Sequence, residues 1–207
     1  MTRIVRFFLV FGIGLLALDA ALYAFVADRT PDAIRPKVTS SGTAAIGGPF
    51  ELVDTDGKQV SNQTYRGKWM LIYFGYTFCP DACPTALSNM GIALQALGAE
   101  ANAVQPLFIT VDPKRDTVAT LHSYLQSFDP RIIGLTGSEA QIGAVAKTYR
   151  VYVEPQKPEV DGNYLVDHSS YLYLMNPNGT FVDVVQSTTP PAQIADWLRK
   201  SMKDHTT

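Results

Sequence analysis

Cysteine is almost missing from this chain. There are 2 in 207 residues, at positions 79 and 83. Lys and Arg are nowhere concentrated, and 17 basic against 19 acidic residues leave a net charge near −2. That balance excludes the basic footprint of a nucleic-acid binder. No internal repeat is visible, so a repeat architecture is excluded too. Nothing resembling an Arg- and Ser-rich transit peptide stands at the N-terminus, and the alanines at 17, 20, 21, 24 and 27 never fall two apart. Without an A-x-A pair, a cleaved signal peptide lacks its processing site.

What is there begins with an apolar run of 21 residues, Phe7–Ala27, interrupted only by Asp19. Roughly 20 such residues suffice to cross a bilayer as a helix. Arg3 and Arg6 precede it. By the positive-inside rule they keep residues 1–6 in the cytoplasm and place the rest of the chain on the other side. The expectation is a single-pass transmembrane anchor in a bacterial inner membrane, facing the periplasm. Residues 28–45 are rich in Pro, Ser, Thr, Gly and Ala without an apolar period and read as a tether. Residues 46–207 form the exported domain. With 46% hydrophobic and 17% charged residues overall, a real core is expected.

Within that domain strands and helices alternate. PFELVDTDGKQV carries Asp56-Gly57 between two short apolar segments and predicts a hairpin. KWMLIYFGY is a near-continuous apolar run, the mark of a central strand covered on both faces. A helix should follow from Pro84 to about Ala99, because proline is tolerated in a first turn and disruptive beyond it. VQPLFITVD is a second buried strand, and Val118, Leu121, Leu125 and Phe128 recur at helical spacing behind Asp116, the expected N-cap. RIIGLTG reads as a short strand before a helix through Ile142, Val145, Ala146 and Tyr149. Residues 151–163 show no clear period and read as an insertion or loop. SSYLYLMNPNGTFVDVV predicts a hairpin turning at residues 176–179, and a last helix starts near Pro190-Pro191. The fold class is therefore a mixed α/β sheet with helices on both faces.

The two cysteines sit in GYTFCPDACP, between the first buried strand and its helix. Starting the helix at Pro84 makes Cys83 its cap, where the macrodipole favours a thiolate, and the turn folds Cys79 back towards it. Three uses compete. A structural disulfide would close so short a loop that it adds little stability. A dithiol–disulfide redox pair suits the strand–turn–helix context, although the spacing is one residue wider than Cys-x-x-Cys. A metal site needs a further ligand. His205 lies in a polar tail and His122 flanks the apolar stripe of a helix, whereas His168 stands among polar residues just before a strand. Two thiolates and one imidazole suit a soft ion such as Cu(I), while zinc would want a fourth ligand, for which Asp81 and Asp167 are candidates. Of the aromatics Tyr73, Phe74, Tyr76 and Phe78, the strand residues should pack the core, leaving Tyr76 and Phe78 able to line a docking surface.

Taken together, GYTFCPDACP, ITVDPKRDT and YLVDHSSYLYLMNPNG resemble, in order and spacing, the three motifs of the Sco/SenC family of copper-binding assembly factors. The resemblance runs from Ile46 to the last helix and extends to the single N-terminal anchor. It implies a thioredoxin-like fold with an added β-hairpin. It also implies one copper ion, Cu(I) or Cu(II), held by Cys79, Cys83 and His168, with the VDPKRDT loop and the region around Asp167 surrounding the site. The family's role implies cytochrome c oxidase subunit II as partner, either receiving copper for its binuclear centre or having its cysteines kept reduced. A periplasmic copper donor and a thiol reductant are implied with it; some members serve instead in redox or copper sensing. Asn176 and Asn178 stand where acidic residues are common in the family, a change expected to touch only a surface turn. A peroxiredoxin-like peroxidase is a weaker reading, because TFCPDAC lacks the wider Thr-to-Cys spacing of those enzymes.

Overall fold

The computed structural model describes residues 46–158 and 163–205. The expected anchor at residues 7–27 and tether at 28–45 lie outside the described residues. Among the described residues no helix is long and apolar enough to cross a membrane.

Strand β3 (Trp69–Gly75) is buried along its whole length. The reason is its position: it pairs in parallel with β4 (Val104–Thr110) on one edge and antiparallel with β8 (Tyr171–Met175) on the other. Such a strand has no solvent face, so its sequence is apolar without alternation. Beyond β4 come β5 (Ile133–Thr136), β1 (Glu51–Asp54) and β2 (Gln59–Ser61), and beyond β8 comes β9 (Phe181–Gln186). The seven-stranded sheet runs β2-β1-β5-β4-β3-β8-β9. Only the β3-β4 and β4-β5 pairs are parallel; the two expected hairpins, β1-β2 and β8-β9, flank them. Asn176 builds the β8-β9 turn, its Oδ1 accepting from the backbone N–H of Asn178 and Thr180 at 3.0 and 2.9 Å. Asn176 thus acts as a local turn device.

Among the described residues four α-helices cover the sheet: α1 (Ala82–Leu97), α2 (Val118–Leu125), α3 (Glu139–Thr148) and α4 (Pro191–Asp204). Successive residues of β3 point to opposite faces. Tyr73 faces α1, with its ring stacked on Phe108 and its hydroxyl near Cys83, while Phe74 faces Tyr149 and Tyr173 on the other side.

Three sequence expectations need correcting. Helix α1 begins at Ala82, two residues before Pro84, so Asp81 occupies the cap and Cys83 already lies within the first turn. Pro84 stays within that turn, where its missing N–H has no partner to lose. The cap of α2 is Thr117, whose hydroxyl accepts from the Thr120 N–H at 3.2 Å; Asp116 is buried instead. Part of the loop expected at 151–163 is strand instead. β6 (Val153–Pro155) pairs antiparallel with β7 (Val166–His168) in a separate two-stranded ribbon. Strands of three residues are too short to show a period.

Asp116 is the buried carboxylate that fixes the start of the cysteine loop. It accepts from the Thr77 N–H at 3.1 Å and from the hydroxyls of Thr77 and Thr110, both at 2.6 Å. Burial pushes its pKa up while those hydrogen bonds pull it back. Asp116→Ala leaves all three donors without their acceptor and should lower stability by about 1–3 kcal/mol per group stranded in the interior. Urea unfolding of wild type and variant measures this, and an unchanged midpoint would contradict the assignment.

Candidate metal centre

Three elements converge on one point. The loop after β3 supplies Cys79, the first turn of α1 supplies Cys83, and the end of β7 supplies His168. One ligand atom from each lies within 4.8 Å of the other two, the one such cluster of three or more metal-ligating side chains among the described residues. Neither His122, exposed on α2, nor His205, near the C-terminus, joins it. The fourth-ligand candidates also stay outside: the carboxylates of Asp81 and Asp167 accept from Thr85 Oγ1 and Gln156 Nε2 respectively.

Cys83 is fully buried and Cys79 half-buried, and both are free thiols. Gly75 makes room for the inner sulfur: a Cβ on that residue would stand 2.8 Å from Cys83 Sγ. The backbone N–H of Cys83, at the start of α1, donates to Cys79 Sγ at 3.4 Å. The helix N-terminus therefore stabilises a thiolate, as the sequence suggested, but on Cys79 and not on Cys83. A hydrogen bond from the Cys83 side chain is the largest influence on Cys79, with backbone amides adding to it and burial opposing, and the Cys79 pKa falls to about 3. The same shared hydrogen bond and burial push Cys83 well above the usual thiol range, so the pair carries one negative charge, on the more exposed sulfur.

His168 is oriented from both sides. Its Nδ1 lies 3.1 Å from the Ser169 carbonyl, which can only accept, so Nδ1 carries the proton there. That leaves the Nε2 lone pair facing Cys83 Sγ at 3.6 Å. The rings of Tyr73 and Tyr76 stand edge-on to the imidazole, with centroids at 6.1 and 5.9 Å. A ligating histidine held by a backbone carbonyl through its second nitrogen is the usual outer-shell arrangement of metal sites. Two soft thiolates and an imidazole form a donor set that can hold one copper ion.

Tyr76 does not line a docking surface; it is buried, and its hydroxyl accepts from the Val166 N–H at 3.1 Å, pinning β7 beside the cysteine loop. Phe78 is exposed. Sequence reasoning missed the support around it. Arg115, from the VDPKRDT segment, lays its guanidinium over Tyr164, Phe78 and Tyr76, at 3.7, 4.7 and 5.7 Å from the ring centroids. It pairs with the buried carboxylate of Asp112, which also accepts from the Tyr164 hydroxyl at 2.8 Å. The resemblance implied that the VDPKRDT loop borders the site, but not which of its side chains supports it.

The family model described as SCO1/SenC matches residues 38–203. The chain belongs to the SCO1/SenC family. It is 42% identical over 188 residues to the mitochondrial SCO2 homolog of Bos taurus, covering 89% of this chain and 71% of that protein. The structure of Bradyrhizobium japonicum ScoI with copper bound superposes with a TM-score of 0.71 at 46% identity, covering 76% of this chain and 99% of that one. BsSco, described as a member of the Sco family of cytochrome c oxidase assembly proteins with a disulfide switch, superposes with a TM-score of 0.62 at 25% identity, over 78% and 96% of the two chains. The domain thus has the thioredoxin-like Sco fold.

A thiolate on Cys79 gives a reactivity test. An ordinary cysteine, with a pKa near 8.5, loses about tenfold in alkylation rate per pH unit below that value. In the reduced, metal-free chain, iodoacetamide should modify Cys79 at a nearly constant rate from pH 8 down to pH 5, followed by mass spectrometry of the 79–83 peptide. A rate falling tenfold per unit across that window would place the charge elsewhere.

Proposed function

We propose that this protein is a copper metallochaperone for cytochrome c oxidase. It holds one copper through Cys79, Cys83 and His168 and helps assemble the binuclear centre of subunit II. The observation that carries this reading is the convergence of two sulfurs and a pre-oriented imidazole within 4.8 Å at the edge of the domain. Residues 7–27 anchor the chain in a bacterial inner membrane, residues 28–45 tether it, and residues 46–207 work in the periplasm. In that compartment paired thiols tend towards the disulfide, which has no thiolate to offer a metal. A thiol reductant must therefore act before a copper donor can load the site.

Transfer then follows from the exposure of the ligands. Cys83 is sealed in the core, while Cys79 and His168 are partly open. An acceptor thiolate displaces the outer ligands first, one at a time, and copper passes across without being released to solvent. Cys83 is the last ligand to let go.

The half-exposed Cys79 thiolate favours a second reading, thiol–disulfide reduction of the same subunit. Cys79 would attack the acceptor disulfide, forming a mixed disulfide and releasing one acceptor thiolate. Cys83, losing its proton, would then attack Cys79 Sγ and release the second thiolate. Two electrons reach the acceptor, and Cys79–Cys83 remains as a disulfide for the reductant to reset. Both readings need both cysteines, but only copper binding needs His168.

An anaerobic Cu(I) competition titration on the reduced full chain, beside His168→Ala, separates them. One copper per chain, weakened about tenfold or more by the substitution, is expected. Weak binding unaffected by His168→Ala would overturn the copper reading and leave the cysteines as a redox pair.

A further inference from the structure

Besides the backbone of Tyr76, which hydrogen-bonds to it, the buried sulfur of Cys83 has a polar side-chain neighbour that neither metal binding nor thiol exchange uses directly. Tyr73, in the middle of β3 and wholly buried, points its hydroxyl at Cys83 Sγ across 3.7 Å. The same hydroxyl lies 3.4 Å from Ser170 Oγ, and Ser170 Oγ lies 2.6 Å from Ser187 Oγ. These three hydroxyls form an unbroken chain ending on sulfur. Its outer end is fixed by main chain. The Ser187 N–H donates to the Ser170 carbonyl at 3.1 Å, and the Ser187 carbonyl accepts from Asn89 Nδ2 of α1 at 3.2 Å.

A phenol or an alcohol carries a single hydrogen to donate. If Tyr73 gives its hydrogen to sulfur, Ser170 gives its own to Tyr73 and Ser187 gives its own to Ser170, so all three bonds point towards Cys83. We infer that Tyr73 is a positioning residue for the Cys79–Cys83 pair, donating a hydrogen bond, aligned by Ser170 and Ser187, that stabilises the reduced sulfur of Cys83 over its disulfide form. A reduced sulfur, whether thiolate or metal ligand, carries more electron density and accepts the bond better than a disulfide sulfur. The chain thus biases the pair towards the state able to take up copper. This inference rests on the proposed use of the same two cysteines, but its test does not depend on copper.

The test is a redox equilibration of the metal-free full chain with dithiothreitol. In the reduction, dithiothreitol's two thiols cleave the Cys79–Cys83 bond and dithiothreitol leaves as its cyclic disulfide; two electrons end on the protein sulfurs, one proton stays on Cys83, and the other passes to solvent because Cys79 remains a thiolate. Trapping by alkylation and mass spectrometry gives the ratio of forms. Tyr73→Phe keeps the ring and removes the donor. It should shift the equilibrium about threefold to tenfold towards the disulfide, the range expected for one hydrogen bond. Tenfold corresponds to about 30 mV for this two-electron couple. Ser170→Ala, which leaves Tyr73 in place but unaligned, should shift it the same way by less, and it carries the test if Tyr73→Phe fails to fold. Tyr149→Phe, a buried tyrosine against Phe74 on the opposite face, should leave the equilibrium where it was. Equal equilibria for wild type, Tyr73→Phe and Ser170→Ala would overturn the inference. That result, with tight copper binding retained, would leave the metallochaperone reading standing.

Discussion

The burial of one sulfur organises this site. Cys83 Sγ sits where the end of β3 meets the first turn of α1, in a space that exists only because residue 75 has no side chain. From that fixed point the rest follows. Its backbone N–H reaches the second sulfur, its neighbour in space is the imidazole of His168, and Tyr73 touches it from the core. A buried thiol without partners would be a small inert hydrophobe. Here it is surrounded by donors and acceptors, and its outer partner, Cys79, carries the charge that the interior refuses.

The three candidate ligands come from elements far apart in sequence, so the site depends on how those elements are fastened. Asp116 ties the loop after β3 to the end of β4 through Thr77 and Thr110. Tyr76 ties the same loop to β7, the strand that carries His168, by accepting from Val166. Arg115, paired with Asp112, lies over the rings of Tyr164 and Phe78. Cross-links of this kind hold a metal site's geometry before the metal arrives, which lowers the cost of ordering it on binding. They also leave Cys79 and His168 open to a partner while Cys83 stays covered.

How much of this was legible in the sequence depended on the length scale of each signal. The seven-residue apolar run of β3 and the Asn-Pro-Asn-Gly turn were plain, because hydrophobic period and turn chemistry act over neighbouring residues. The two cysteines and His168 were legible as a set only through the resemblance, since 85 residues separate Cys83 from the histidine and composition cannot show that they meet. The start of α1 was misplaced by two residues, for proline is accepted anywhere in a first turn and does not mark its first position. Asp116 had the chemistry of a cap and was taken inward by three hydroxyl and amide donors that sequence proximity does not reveal. The thiolate was expected on Cys83 because it lies on the helix. Tertiary burial moved it to Cys79, whose sulfur is the one the helix amide faces. Tyr73 looked like core filling; the only hint of more was that a buried phenol has to find a partner.

The metallochaperone proposal stands on Cys79, Cys83 and His168 together making one copper site. X-ray absorption at the copper edge of the loaded full chain tests it most directly. Two sulfurs and one imidazole nitrogen per copper are expected, with His168→Ala removing the imidazole signal and leaving both sulfurs. A sulfur-only shell in the wild-type protein, or an imidazole signal that survives the substitution, would contradict it.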